Sequence, residues 1–347
     1  MLRETPSFKF LAAFMAAFAC TPGLAQDVEK EIRVGIIGLD TSHAIAFAKT
    51  MNAADKQASF DECQVTCAYP HGSADIQSSV SRIPGYTKEI QELGVEIVDS
   101  IDELIDRVDA VMLETNDGRL HLEQVIPVLK ARKPVFIDKP MAGDLVDVLA
   151  IFEEAKKYRT PVFSSSSLRF VKAAQAARRG ELVGQVFGCD TFSPCTLEPT
   201  HPDLYWYGIH GVEQLFTVMG PGCQTVSRTQ TDGVDVVVGK WTEGRIGTFR
   251  GIRDGNRNYG GTVFGEKGQQ SSGGYEGYDG LVIEIANFFQ TGNPPVTADE
   301  TIEIYAFMSA ADESKLAGGE PVTMSAVLES AMRRVAGRLE PFQLNRE

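Results

Sequence analysis

The sequence predicts an α/β protein in which a doubly wound parallel sheet is followed by an α+β domain with an open antiparallel sheet. Up to about residue 165, short apolar runs alternate with helical segments, which is the pattern of parallel strands covered by helices. Beyond that point, stretches with alternating or β-branched residues are divided by Gly, Asp and Asn turns, which is typical of antiparallel strands. A chain of 347 residues is long enough for two such domains.

The individual elements are predicted from apolar periodicity and from turn residues. In the first region we expect strands at residues 32–37, 64–68, 95–98, 109–114, 134–137 and 161–163, and helices at 43–52, 102–107, 120–131 and 144–158. In the second region we expect a helix at 171–179, strands at 186–192, 224–229, 234–241, 244–250 and 260–265, and helices at 281–290, 298–316 and 325–337. Residues 255–261 and 268–280 are expected to form Gly-rich loops.

The composition argues against several classes of partner. A formal net charge of −14 disfavours binding to nucleic acid or to an anionic membrane surface. The sequence has no polybasic run, RNA-binding signature or zinc-finger spacing, so we expect no nucleic-acid partner. It also shows no metal-ligand spacing, and we therefore expect no metal site.

The first 25 residues are predicted to be a signal peptide. Arg3 and Lys9 precede the apolar run at residues 10–19, and small residues follow before Gln26, which suits cleavage. A membrane anchor is the alternative, although the run is short for a span, and lipidation of Cys20 is a weaker one. We therefore expect an exported protein, periplasmic or extracellular. Because the segment has no Arg-Arg pair, export of an unfolded chain without bound cofactor is expected.

Five cysteines follow the predicted cleavage site, and an odd number cannot all pair within one chain. Cys63 and Cys67 lie on one predicted strand, roughly 13 Å apart, which is too far for a disulfide. We interpret the cysteines as buried thiols, with a Cys189–Cys195 disulfide as the alternative.

The turn after the first strand carries the first candidate site. A dinucleotide-binding fingerprint has three glycines, which allow a tight turn, close approach of the pyrophosphate and close helix packing. Gly38 occupies the first position, but Asp40 and His43 occupy the second and third, with Thr41 and Ser42 between them. Since a carboxylate repels pyrophosphate, the sequence predicts either altered or absent cofactor binding, or a cofactor held through a shifted loop.

The end of the second strand lacks the usual residue for the cofactor's ribose. A dinucleotide site normally has an acidic residue there, whereas this chain has Tyr69-Pro-His71-Gly-Ser73, and no arginine that would indicate NADP. We interpret His71 as a surface loop residue.

A lysine follows the fifth predicted strand, in Asp138-Lys139-Pro140. Ligands bind at the carboxyl ends of parallel strands, and a lysine there can hold a substrate hydroxyl or help to take its proton. The alternative is a surface lysine beside a turn proline.

His210 lies at the start of a predicted helix, close to Tyr205, Trp206 and Tyr207. Histidine titrates near neutral pH and suits general acid–base catalysis, and an aromatic wall suits the apolar faces of a sugar ring. The alternative is a core histidine packed among aromatic neighbours.

Four stretches together resemble the Gfo/Idh/MocA oxidoreductases, a family named for glucose–fructose oxidoreductase and inositol dehydrogenase. They are Val34-Gly-Ile-Ile-Gly-Leu39, Val108-Asp-Ala-Val111 with His121, Asp138-Lys139-Pro140, and Gly208-Ile-His210 with Glu213. The resemblance covers roughly residues 32–325. The family usually has Glu-Lys-Pro, so Asp138 is a conservative variant, and Trp206 stands where a later family motif has its first acid.

The resemblance implies a Rossmann-like domain at residues 26–163, binding NAD or NADP, and a C-terminal domain at 164–347 for substrate and oligomerisation. A polyol, sugar or glycoside would lie between them, with Lys139 and His210 sharing proton transfer. The implied cofactor-binding residues are Gly38, Asp40, Thr41, Ser42, His43, Asn116 and Asp138. The implied substrate-binding residues are Arg169, Tyr205, Trp206, Tyr207 and Glu213, although Arg169 could instead tie the domains together. His121 would shape the site, and the open sheet suggests a homo-oligomer.

Two other functions stay open beside a nicotinamide-dependent oxidoreductase. A lyase or hydrolase could use Lys139 and His210 to take a proton beside a carbonyl without a cofactor. A carbohydrate-binding protein could use the aromatic cleft alone. The oxidoreductase ranks first because the family resemblance favours it.

Overall fold

The computed structural model describes residues 31–54, 60 and 62–343. The predicted signal peptide and Cys20 lie outside the described residues. Among the residues it describes, no helix combines the length and the apolar character that crossing a membrane requires.

The first half of the chain forms a six-stranded parallel sheet in the order β3-β2-β1-β4-β5-β6. Its elements are β1 (Ile32–Ile37), α1 (Ser42–Met51), β2 (Cys63–Tyr69), α2 (Gln77–Glu92), β3 (Glu96–Ile97), α3 (Ile101–Arg107), β4 (Ala110–Leu113), α4 (His121–Lys130), β5 (Val135–Ile137), α5 (Leu145–Tyr158) and β6 (Val162–Ser164). The order runs outward from β1 in both directions, which confirms the predicted doubly wound sheet. The six predicted strands agree with the structure to within about two residues at each end.

Helix α2 is the one α-helix of this half, among the described residues, that the sequence did not predict. It contains Pro84, which interrupts a helical pattern, and buries only Ser79 and Ile90. A helix that buries so few residues gives a weak apolar periodicity in the sequence.

The second half forms a seven-stranded sheet in the order β12-β11-β7-β10-β9-β8-β13. Its elements are α6 (Lys172–Arg178), β7 (Val186–Pro194), α7 (Ile209–Met219), β8 (Cys223–Thr231), β9 (Val234–Trp241), β10 (Ile246–Ile252), β11 (Gly260–Gly265), β12 (Gly268–Ser271), α8 (Asp279–Thr291), α9 (Ala298–Leu316), β13 (Val322–Thr323) and α10 (Met324–Gln343). All neighbouring pairs are antiparallel except β7 and β10, which are parallel, so the sheet is mixed. The short edge strands β12 and β13 were not predicted.

Helices from the second half pack on the first sheet, so residues from both halves form a common apolar core. Ile285 and Phe288 of α8 are buried in one apolar cluster with Val34, Phe136 and Phe163 of the first sheet. Helix α10 packs on α5, and α9 packs on both α5 and β8. From Glu31 onward the chain therefore forms one compact unit, and the division at residues 163 and 164 stays a prediction.

The cysteines behave as predicted for buried thiols. Cys67, Cys189, Cys195 and Cys223 are all buried and free. The alternative Cys189–Cys195 disulfide was wrong, because each of these side chains is packed separately into the core of the second half.

The turn after β1 depends on a glycine. Gly38 has φ +92°, and a Cβ built on it would lie 2.5 Å from the backbone nitrogen of Thr115. The loops that follow β1 and β4 therefore touch backbone to backbone, and this contact sets the edge of the sheet where the site lies.

We expect Gly38→Ala to destabilise the protein more than Gly94→Ala. Both glycines have positive φ, but a Cβ on Gly94 meets nothing within 4 Å. Gly94→Ala should cost only the backbone strain, about 1–2 kcal/mol, whereas Gly38→Ala adds an overpacking cost of about 1–3 kcal/mol. Urea unfolding of both variants measures the difference, and equal losses of stability would contradict the close loop contact.

Candidate active site

A cavity of about 430 Å³ lies between the carboxyl edge of the first sheet and the start of α7. Four predicted cofactor-binding residues line it: Thr41, Ser42, His43 and Asn116. Both predicted catalytic residues, Lys139 and His210, also line it, as do Trp206 and Tyr207. The structure therefore brings the three separate sequence motifs to one cavity.

The first turn of α1 reaches this cavity. Thr41 caps the helix, and its side chain accepts a hydrogen bond from the backbone nitrogen of His43 at 3.4 Å. Ser42 and His43 follow directly, so the positive end of the helix dipole lies at the cavity wall.

Asp40, at the second position of the glycine motif, is directed into the protein. It is fully buried, and its carboxylate accepts hydrogen bonds from the backbone nitrogens of Asn116 at 2.9 Å and Ser73 at 3.3 Å. Burial raises the pKa of Asp40, and the two N–H donors oppose that shift. Asp40 ties the loops after β1, β2 and β4 together and is not among the residues that line the cavity.

Asp138 contacts both His43 and Lys139. Its Oδ2 lies 2.8 Å from Nδ1 of His43 and 3.8 Å from Nζ of Lys139. Burial opposes ionisation of Asp138, but these two neighbours outweigh it and lower its pKa to about 2. Asp138 is therefore ionised across the usual pH range, and it holds the Lys139 ammonium at the cavity.

Glu114 lies close to Asp138, and its position in the sequence indicates only the last residue of a predicted strand. It follows β4 directly and is fully buried, and neither carboxylate oxygen has a hydrogen-bond partner. Burial, with the charge of Asp138, raises its pKa well above the ordinary value. The spacing of residues in the sequence does not reveal a role for Glu114, because His43, Glu114 and Asp138 come from three separate segments of the chain.

His210 occupies the opposite wall of the cavity, at the start of α7. Its Nδ1 lies 2.7 Å from Oγ of Ser166, and its ring lies edge-on to Tyr207 and Tyr259. Burial and the nearby Lys139 charge lower its pKa well below 6.5. At neutral pH the imidazole is therefore neutral and able to accept a proton.

An aromatic wall completes the cavity. A π-helical turn, Leu204–Gly208, precedes α7 and presents Trp206 and Tyr207 to the cavity. Three further tyrosines line it: Tyr259, Tyr275 and Tyr278. These three tyrosines were not predicted, because they lie in Gly-rich segments that have no regular spacing of apolar residues.

Three predicted substrate-binding residues do not line the cavity. Arg169 is buried in an ion-pair network with Glu213 and with Glu300 of α9, at 2.8 Å from the latter. Tyr205 is buried against α9, where its hydroxyl bonds Oγ of Ser309 at 2.8 Å. Arg169 thus joins the segment after β6 to α7 and α9, as the alternative interpretation had it.

The remaining histidines in the motifs differ in role. His121 is fully buried, and its two ring nitrogens lie 3.1 Å from the carbonyl oxygen of Met141 and 2.6 Å from that of Thr115. It shapes the loops after β4 and β5, as predicted. His71 is an exposed loop residue that packs on Tyr69, also as predicted.

The first half of the chain matches a known protein family. Residues 32–165 match a family described as "Oxidoreductase family, NAD-binding Rossmann fold", the Gfo/Idh/MocA family. A myo-inositol 2-dehydrogenase of Thermotoga maritima is 30% identical over 124 residues. That match covers 35% of this chain and 37% of the relative, so the chain spans little more than a third of the length of this curated relative.

Solved structures resemble most of the chain. A probable dehydrogenase from Thermotoga maritima has a TM-score of 0.69 and 21% identity, covering 85% of this chain and all of that one. A scyllo-inositol dehydrogenase from Lactobacillus casei, solved with NAD(H) and scyllo-inositol, has a TM-score of 0.67 and 14% identity, covering 85% of this chain and 100% of the other. At these identities the likeness shows the fold, a parallel sheet followed by a mixed one.

We expect Arg169→Met to destabilise the protein strongly, because it leaves the buried Glu213 carboxylate without its cation and removes one of the two cations that pair with Glu300. Loss of one partner of a buried ion pair typically costs about 3–5 kcal/mol. Arg179→Met, which breaks an exposed pair with Glu181, should leave the stability nearly unchanged, because water screens that pair. Chemical denaturation of both variants checks this, and a stable Arg169→Met variant with weakened ligand binding would show that Arg169 contacts substrate instead.

Proposed function

We propose that this chain is a nicotinamide-dependent oxidoreductase of polyol or sugar hydroxyls, because its residues 32–165 match the Gfo/Idh/MocA oxidoreductase family. The observation that carries the proposal is the cavity shared by Lys139, His210 and the first turn of α1. An amine and a neutral imidazole can bind a hydroxyl and take its proton, and a helix N-terminus can bind a phosphate of the dinucleotide.

The residues present fit a dinucleotide, although two glycines of the fingerprint are replaced. Gly38 keeps the tight turn, and the Asp40 carboxylate is directed away from the cavity towards backbone N–H groups. Thr41 and Ser42 place the N-terminus of α1 at the cavity, where it suits a phosphate. Relatives solved with NAD make NAD the first cofactor to test, with NADP in parallel.

The chain's own residues supply the proton chemistry. A bound nicotinamide would supply the acceptor for hydride from the carbinol carbon. The Lys139 ammonium, held by Asp138, would bind and orient the substrate oxygen. The neutral imidazole of His210 would take the hydroxyl proton, while its bond with Ser166 fixes the orientation of the ring.

The aromatic wall supports a ring-shaped polyol as the substrate class. Trp206, Tyr207 and Tyr259 offer faces for the apolar side of a cyclitol or sugar ring. Relatives described as inositol dehydrogenases favour the same class. The lyase, hydrolase and carbohydrate-binding alternatives gain no support from these relatives.

Export and self-association are proposals as well. The basic and apolar character of residues 1–25 supports export to the periplasm or the extracellular space. Exposed Ile246 and Phe264, which flank Gly188 on neighbouring strands of the second sheet, support a homo-oligomer.

We expect Lys139→Met and His210→Asn each to lower kcat at least about 100-fold, since each removes a proton-transfer or oxygen-binding group. Absorbance of reduced nicotinamide, with NAD or NADP and a panel of inositols and sugars, measures the rate. His71→Asn, which changes an exposed histidine outside the cavity, is the control and should leave the rate unchanged. Wild-type rates in both cavity variants would refute the assignment.

The pH profile should reflect the lowered pKa of His210. The base is active when neutral, so the rate should fall only as pH drops through a value well below 6.5. We therefore expect kcat/KM to be flat from neutral pH down through 6.5. In Ser166→Ala the position of this acid limb should shift and kcat should fall. An acid limb at or above 6.5 that is unaffected by Ser166→Ala would contradict the role of His210.

A further inference from the structure

Three side chains of metal-ligand type meet beneath the cavity. They are His43 from the first turn of α1, Glu114 after β4 and Asp138 after β5, and all three are buried. One ligand atom from each lies within 4.8 Å of the other two. Because these loops follow three adjacent strands, the fold itself sets the spacing.

Two of these side chains have oxygen atoms with no partner. Both carboxylate oxygens of Glu114 and Oδ1 of Asp138 are buried and form no hydrogen bond. Oδ2 of Asp138, by contrast, already contacts His43 and Lys139. An unpaired buried carboxylate is costly, and such groups are normally paired with a cation or coordinated to a metal.

The local charge balance also favours a cation. Asp40, Glu114 and Asp138 bring three carboxyl groups to this edge of the sheet. Asp40 accepts hydrogen bonds from two backbone N–H groups. Lys139 contacts Asp138 and also acts on Glu114, so its positive charge is shared between two buried carboxyl groups.

We propose that His43, Glu114 and Asp138 bind one divalent transition-metal cation, of the Zn²⁺ or Co²⁺ class. One imidazole nitrogen and two carboxylate oxygens suit these ions, which sit about 2.0–2.2 Å from such ligands. Ligand atoms around one ion are then roughly 3–4 Å apart, so the side chains of the cluster, whose ligand atoms lie within 4.8 Å of one another, would need only a small adjustment to bind it. Three protein ligands leave at least one coordination position for water or for a substrate oxygen.

The competing possibility is a proton on Glu114. Burial and the Asp138 charge raise the pKa of Glu114 well above its ordinary value, so a proton is the other way to neutralise this carboxylate. A proton and a metal are mutually exclusive at this carboxylate, so a metal titration decides between them.

The test is metal binding by the full chain, freed of metal with a chelator and dialysed against Zn²⁺ or Co²⁺. We expect one equivalent to bind, a visible Co²⁺ spectrum of nitrogen and oxygen ligation, and a rise in Tm. Glu114→Gln keeps the shape of the side chain but removes the ligand charge, and it should weaken binding at least tenfold. His71→Gln, which removes an exposed imidazole, should bind as the wild type does.

The wild-type measurement needs no variant to be decisive. Absence of stoichiometric Zn²⁺ and Co²⁺ binding would overturn the metal site and leave the proton on Glu114. Equal affinity in the wild type and in Glu114→Gln, with the variant's Tm in metal-free buffer unchanged, would overturn it too.

Discussion

The contact of Asp138 with His43 and Lys139 is the interaction on which the site depends. Asp138 lies at the end of β5, and the pairing of β5 with β4 and of β4 with β1 carries His43 and Glu114 to the same place. The buried carboxylate stays ionised because His43 and Lys139 stabilise it. In return it holds the Lys139 amine at the cavity, where an unpaired lysine would extend towards water.

The second half of the chain fixes this edge from the other side. The backbone nitrogen of Met141, two residues beyond Lys139, donates a hydrogen bond to the hydroxyl of Tyr305 on α9. The ion pairs of Arg169 with Glu213 and Glu300 join α7 to α9, and α7 carries His210. The relative placement of amine and imidazole therefore rests on buried polar contacts within one compact unit.

The sequence predicts the parallel sheet correctly because its strands are short and apolar and are separated by amphipathic helices. The sequence also identifies Lys139, His210 and the N-terminus of α1, because each of them follows a predicted strand or begins a predicted helix. It could not separate Trp206, which lines the cavity, from Tyr205, which is buried against α9. Adjacent side chains of a helical turn point in different directions, and the sequence does not show which of the two faces the cavity.

Asp40 and Glu114 are two further residues whose surroundings could not be predicted from the sequence. The replacement of a glycine by Asp40 suggested repulsion of a pyrophosphate, yet the carboxylate is directed inward, because backbone N–H groups of two other loops are available to it. Glu114 gave no signal at all, since its significance depends on side chains that are distant in the sequence. Loop–loop contacts of this kind are set by tertiary structure.

A crystal structure of the protein grown with NAD and myo-inositol would show directly where the two molecules bind. We expect both of them in the cavity bounded by Thr41, Lys139 and His210, with the inositol hydroxyl between the amine and the imidazole. A structure in which Lys139 and His210 face different surfaces, or in which NAD lies outside this cavity, would contradict this expectation.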